Sequence, residues 1–226
     1  MIRRQAFIHT FAALALVSAA ALAADAKPQA GSWKQLFNGK DLTGWQQVGP
    51  GSFVVESGML KPVGGMGLLY WKGGKIGNAV VRVVFKVTKA DDNSGVFIRI
   101  PIEPREEWMP VHYGYEVQIL DSGDDHHCTG VLYSLTTAKA RASKPAGEWN
   151  TMEITLDGPR TIVVLNGQKV TDYTEGQELP PRTKDYEPQR GRRPESGYIG
   201  LQNHPREDKS DSGVYFKEVA IRKLGQ

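Results

Sequence analysis

The chain has 226 residues, 40% of them hydrophobic and 23% charged, with a formal net charge of +3. That length suits one domain with a sizeable core, and the mixed charges exclude a wholly disordered chain. There is no dense Lys/Arg run with interleaved aromatics, so nucleic acid is not expected as a partner.

Arg3 and Arg4 precede an apolar, Ala-rich run over 7–24. Two small-x-small sites follow, Ala21-Leu22-Ala23 and Ala24-Asp25-Ala26. This pattern predicts a cleaved secretory signal peptide over 1–26, then a single domain over 27–226. The expected location is periplasmic or secreted, with no stable membrane insertion after cleavage. Cys128 is the one cysteine, so no intramolecular disulfide is available and the domain must rest on its packed core.

From Lys27 onward, short alternating runs are separated by Gly, Asn, Asp and Pro, which predicts an antiparallel all-β sandwich or barrel with almost no helix. Phe53-Val54-Val55 and Met59-Leu60-Lys61 flank the turn Glu56-Ser57-Gly58. Over 80–88, Val81, Val83, Phe85 and Val87 share a face. Over 94–101, Val96, Ile98 and Ile100 share one face and Phe97 and Arg99 the other. Over 115–120, Val117 and Ile119 point inward and Glu116 and Gln118 outward. Further strands are expected over 130–135 and 149–156. Those over 161–165 and 169–173 are joined through Asn166-Gly167, a strong hairpin signal. Runs at 198–203 and 214–222 close the domain. Two long polar loops, 103–112 and 174–196, have the character of binding rims or of plain surface excursions.

The motifs resemble a known family. Gln35-Leu36-Phe37-Asn38-Gly39-Lys40-Asp41-Leu42-Thr43-Gly44-Trp45 is similar to the opening of the 3-keto-disaccharide hydrolase domain. Asn93-Ser94-Gly95-Val96-Phe97-Ile98-Arg99, Gly114-Tyr115-Glu116-Val117-Gln118-Ile119-Leu120-Asp121 and Thr129-Gly130-Val131-Leu132-Tyr133 follow in the same order. So do Gly147-Glu148-Trp149-Asn150, Leu165-Asn166-Gly167, Gly197-Tyr198-Ile199-Gly200-Leu201-Gln202-Asn203-His204 and Val214-Tyr215-Phe216. The likeness spans 32–224 and departs from the family pattern in a longer polar stretch over 205–212. The resemblance implies a concanavalin/laminarin-binding-like antiparallel jelly-roll sandwich. It also implies an exported enzyme that cleaves 3-keto-glycosides by hydrolysis, or by elimination then hydration.

Alternation selects the residues able to do such work. If the strands at 94–101, 115–120 and 198–203 share a sheet, Phe97, Arg99, Glu116, Gln118, Tyr198, Gln202 and His204 share its polar face. Amides and charges suit sugar hydroxyls, and rings suit sugar C–H faces. Glu116, His204 and Arg99 are the catalytic candidates: either of the first two as base, Arg99 as donor to an enolate oxygen. Gln118, Gln202, Tyr198, Phe97, His112 and Tyr113 are the substrate-binding candidates. Trp149 fits core-edge packing better than a sugar platform. Asp121 and the Asp124-Asp125-His126-His127 run lack a diagnostic metal spacing, so no cofactor is expected, though a divalent cation stays open. A non-catalytic carbohydrate-binding module on the same fold is the alternative.

Overall fold

The computed structural model describes residues 31–204 and 213–225. The expected leader over 1–26 and the 205–212 stretch lie outside the described residues. The described chain forms two antiparallel sheets. The larger has eight strands: β1 (Lys34–Gln35), β3 (Ser52–Glu56), β4 (Met59–Val63), β6 (Ala79–Val87), β9 (Asn150–Asp157), β10 (Arg160–Leu165), β11 (Gln168–Thr174) and β13 (Val214–Lys223). The smaller runs β2 (Trp45–Val48), β5 (Gly67–Trp71), β12 (Tyr198–Asn203), β7 (Ser94–Ile100) and β8 (Tyr115–Ile119) in that spatial order. One short helix, α1 (Met109–Tyr113), precedes β8. Among the described residues, no helix is long and apolar enough to cross a membrane.

The alternating residues meet between the sheets. Val81, Val83, Phe85 and Val87 of β6 pack with Met152, Ile154 and Leu156 of β9 on one side. Val96, Ile98, Val117, Ile119, Ile199 and Leu201 face them from the other. Each such side chain, fully buried, contributes about 1.5–3 kcal/mol.

Two details of pairing decide where the functional groups go. First, Tyr198 opposes Ile100 while Gly200 opposes Phe97, so β7 carries one extra residue there. The extra residue is accommodated at Arg99, whose φ is +54. Side-chain parity then flips. Ile100, expected inside with Val96 and Ile98, joins Phe97 on the outer face, and Arg99 turns inward. Gly197 lies against this bulge, and a Cβ there would come within 2.3 Å of the Arg99 carbonyl carbon. Second, the smaller sheet is not open on its outer side. Leu68, Tyr70, Phe97 and Ile100 form a second apolar cluster with Met109 and Val111 of α1.

Residues 130–135, expected as a strand, are turns that still follow β8. Gln118 N donates to Val131 O at 2.9 Å, Gly130 N to Gln118 O at 2.9 Å, and Tyr133 N to Glu116 O at 2.9 Å. β5 was hidden from period-2 reading because Leu68, Leu69 and Tyr70 are all buried, which erases alternation.

Candidate active site

Glu116 and Gln118 alternate outward from β8, Gln202 does so from β12, and His204 follows the end of that strand. They line a cavity of about 290 Å³ with Asn93, Trp108, Val111, Tyr133 and Tyr186. Larger hollows of about 340 Å³ beside Cys128 and about 460 Å³ beside Tyr70 lie elsewhere on the molecule. Neither joins a buried carboxyl to an imidazole and to amide oxygens that lack partners.

Glu116 is 6% exposed. Burial pushes its carboxyl up to about 8, and the Gln202 side chain opposes that rise. Its room is made by Gly95 on the neighbouring strand, where a Cβ would lie 2.5 Å from both Cγ and Oε1 of Glu116. Gln118 Nε2 donates to Asn93 Oδ1 at 3.3 Å. The Oε1 atoms of Gln118 and Gln202 are buried without a hydrogen-bond partner among the described residues. Such atoms are costly to leave unpaired, so they suit the hydroxyls of a bound ligand. Tyr133 is held up to about 12 by burial and by the Glu116 charge, so its phenol remains an O–H donor.

Other expected site residues lie outside this group. Arg99 is fully buried and points into the sandwich. It donates to Thr161 Oγ1 at 3.2 Å, Pro194 O at 3.0 Å, Gly158 O at 2.8 Å and Arg160 O at 3.1 Å. Those partners occupy its guanidinium and hold the β9–β10 end, so the bulge turns it away from the face that carries Glu116. Phe97 is buried beneath α1 rather than open as a platform. Tyr198 packs edge-on against Tyr70 with ring centroids 6.1 Å apart, away from the cavity lining. His112 and Tyr113 belong to α1, and Tyr113 is exposed. Trp149 lies half-buried with Lys86 and Lys217 near its ring, at 5.1 and 4.3 Å.

The acidic and histidine run is occupied internally. Asp124 Oδ1 accepts from His126 N at 2.9 Å and from His127 Nδ1 at 2.7 Å. Asp125 pairs with Arg141 at 2.8 Å, and Asp121 accepts from Thr129 Oγ1 at 2.6 Å. Among the described residues, no group of three or more His, Cys, Asp and Glu side chains is arranged to hold a metal ion.

Sequence patterning alone had not singled out Trp108, Tyr133, Tyr186 or Asn93 as site residues. Two of them, Trp108 and Tyr186, sit in the long loops 103–112 and 174–196, whose length was the available signal.

A two-sheet sandwich with a polar cavity on the outer face of the smaller sheet is the framework into which the comparisons fit. The chain belongs to the family of 3-keto-α-glucoside-1,2-lyase-like domains, whose model matches residues 32–222. It is similar to a solved Parabacteroides distasonis protein proposed to be a glycosyl hydrolase. That likeness has 27% identity and a TM-score of 0.67 over 86% of this chain and 100% of that one. A second such protein from the same organism is 23% identical, with a TM-score of 0.66 over 85% of this chain and 94% of that one. A Bacillus subtilis protein of unknown function with a galectin-like fold shares the sandwich at 10% identity and a TM-score of 0.61, over 89% of this chain and 99% of that one. A search of the curated proteins finds no match to the sequence.

Proposed function

We propose that the protein is an exported enzyme that cleaves the glycosidic bond of 3-keto-glycosides by elimination across C1 and C2, followed by addition of water. The observation that carries this reading is Glu116, a carboxyl raised to about 8 in a cavity that also holds His204. A carboxyl that keeps its proton at neutral pH is suited to protonate a leaving oxygen. The family match and the likeness to the proposed glycosyl hydrolase support the substrate class.

The C3 carbonyl acidifies the C2 proton, because the resulting anion is delocalised onto oxygen. His204 takes that proton, imidazole being the commonest general base. The electron pair moves into the C2–C3–O enolate. Its collapse forms the C1–C2 double bond and breaks the C1–O bond, and the departing oxygen takes the Glu116 proton. The products are an enone and a free alcohol. Water adding at C1 then returns the 3-keto sugar. Tyr133, with its O–H retained, is the donor to the enolate oxygen in place of Arg99. Gln118 and Gln202 accept sugar hydroxyls through their unpaired Oε1 atoms.

The test is incubation with a 3-keto-glucoside and with its unoxidised parent. Release of the alcohol from the keto compound alone is expected. Tight binding of both with cleavage of neither would instead identify a carbohydrate-binding module. Export is checked by N-terminal sequencing, with a mature start between Ala24 and Lys27 expected and retention of Arg3 contradicting it.

A further inference from the structure

The floor of the cavity and its mouth differ in chemistry. Glu116, Gln118 and Gln202 come from the sheet or its strand ends, whereas Trp108 and Tyr186 come from the two long loops. Those two rings are 43% and 57% exposed, an unfavourable place for large aromatics. Yet the backbone carrying Tyr186 is tightly held. Arg182 donates through Nε to Glu187 O at 3.1 Å and through Nη2 to Asp185 O, so one guanidinium clamps the chain on both sides of Tyr186. The buried Glu187 carboxylate accepts from Thr183 Oγ1 at 2.7 Å and from Arg190 Nη2 at 3.0 Å. Arg190 Nη2 also reaches Ser134 O at 3.2 Å, next to Tyr133.

Arg193 joins this loop to α1, the helix that starts just after Trp108. It donates to Gln189 O at 2.7 Å and Gly191 O at 2.9 Å on the loop. It also donates to His112 O at 3.0 Å and Gly114 O at 3.0 Å at the helix end. The backbone beside both aromatic walls is thus held before any ligand arrives, which lowers the ordering cost that a mobile rim would impose on binding.

We propose that Trp108 and Tyr186 form an aglycone subsite that takes a flat apolar ring, so that the preferred substrates are aryl or similarly aromatic glycosides. This rests on the cavity being the glycoside-cleaving site. The sugar ring belongs on the floor, where the unpaired amide oxygens meet its hydroxyls. The leaving group then lies toward the mouth, where the rings of Trp108 and Tyr186 offer mainly apolar surface. No Lys or Arg is among the described lining residues.

Calorimetric titration with phenyl glucoside and methyl glucoside of one anomeric form, neither of which is oxidised at C3, measures the subsite without turnover. Phenyl glucoside is expected to bind about tenfold more tightly, the scale of one good aromatic contact. Tyr186→Ala and Trp108→Ala should each bring the phenyl compound toward the methyl one and leave the methyl compound nearly unchanged. Equal affinities, a preference that survives both substitutions, no binding of phenyl glucoside, or tighter binding of a glucosyl disaccharide would overturn the assignment. Cleavage of both 3-keto forms with no aryl preference removes the subsite and leaves the reaction standing. An aryl preference lost in both variants, with no cleavage of either keto form, keeps the subsite and removes the reaction.

Discussion

Glu116 draws its chemistry from where β8 puts it. Its raised carboxyl has two consequences of opposite use. In the proposed reaction the protonated form is the working form, so turnover should fall as pH rises through about 8. Glu116→Gln should lower turnover by about 10²-fold or more, the scale of a lost acid–base group, as read in initial rates on a 3-keto-glucoside. For stability, the folded state holds a proton that the unfolded chain releases near its ordinary value of 4.5, so stability declines as pH rises from there to about 8. Glu116→Gln should therefore melt higher than the unaltered protein at pH 8.5, and the gap should close near pH 4. Arg99 makes the opposite case. Its residue type pointed to an enolate donor, but its four bonds fix the sandwich end instead. Arg99→Met should cost about 3 kcal/mol in urea unfolding, since it leaves the buried Thr161 hydroxyl and three part-buried carbonyls without their donor. Turnover of the folded fraction should stay near that of the unaltered protein.

At the scale of elements, the sequence was legible wherever one face of a strand is buried and the other is not. β6, β8, β9 and β12 fall where alternation put them, and so Glu116, Gln118 and Gln202 came out on one face. Reading failed where that condition failed: at β5, buried on both faces, and at the β7 bulge, where one extra residue reversed the parity of Arg99 and Ile100. Nothing in the composition of Val96 to Ile100 announces the bulge; it comes from the pairing with β12, which a single chain segment does not reveal. The hairpin of β10 and β11 was legible because Asn166 and Gly167 both adopt positive φ, at 50 and 84. Asn166 does more than turn the chain. Its Nδ2 donates to Ala142 O at 2.8 Å and Asn150 Oδ1 at 2.7 Å, and its Oδ1 accepts from Thr151 N at 2.9 Å. Asn166→Gly keeps the turn and loses these bonds, so thermal or urea unfolding should register a loss of about 2 kcal/mol. A turn-only role would leave stability almost unchanged.

Across the whole molecule, two sheets supply a rigid base, and the chemistry is assembled on the outer face of the smaller one by residues from distant parts of the chain. Asn93, Glu116, Tyr133, Tyr186 and His204 converge there only because β12 lies between β5 and β7, and because the 174–196 loop returns across α1. Local patterning identified β7, β8 and β12; only the order of strands in the sheet brings the loops over the cavity. Breaking the C1–O bond through an enolate at C2 and C3, as proposed for this cavity, requires that the C2 proton leave first. The most direct measurement is the reaction of a 3-keto-glucoside in D₂O, with C2 of the product and of recovered substrate examined by NMR. Deuterium at C2, greatly reduced in His204→Ala, is the expected result. Full cleavage with no deuterium at C2 would contradict it and identify direct hydrolysis.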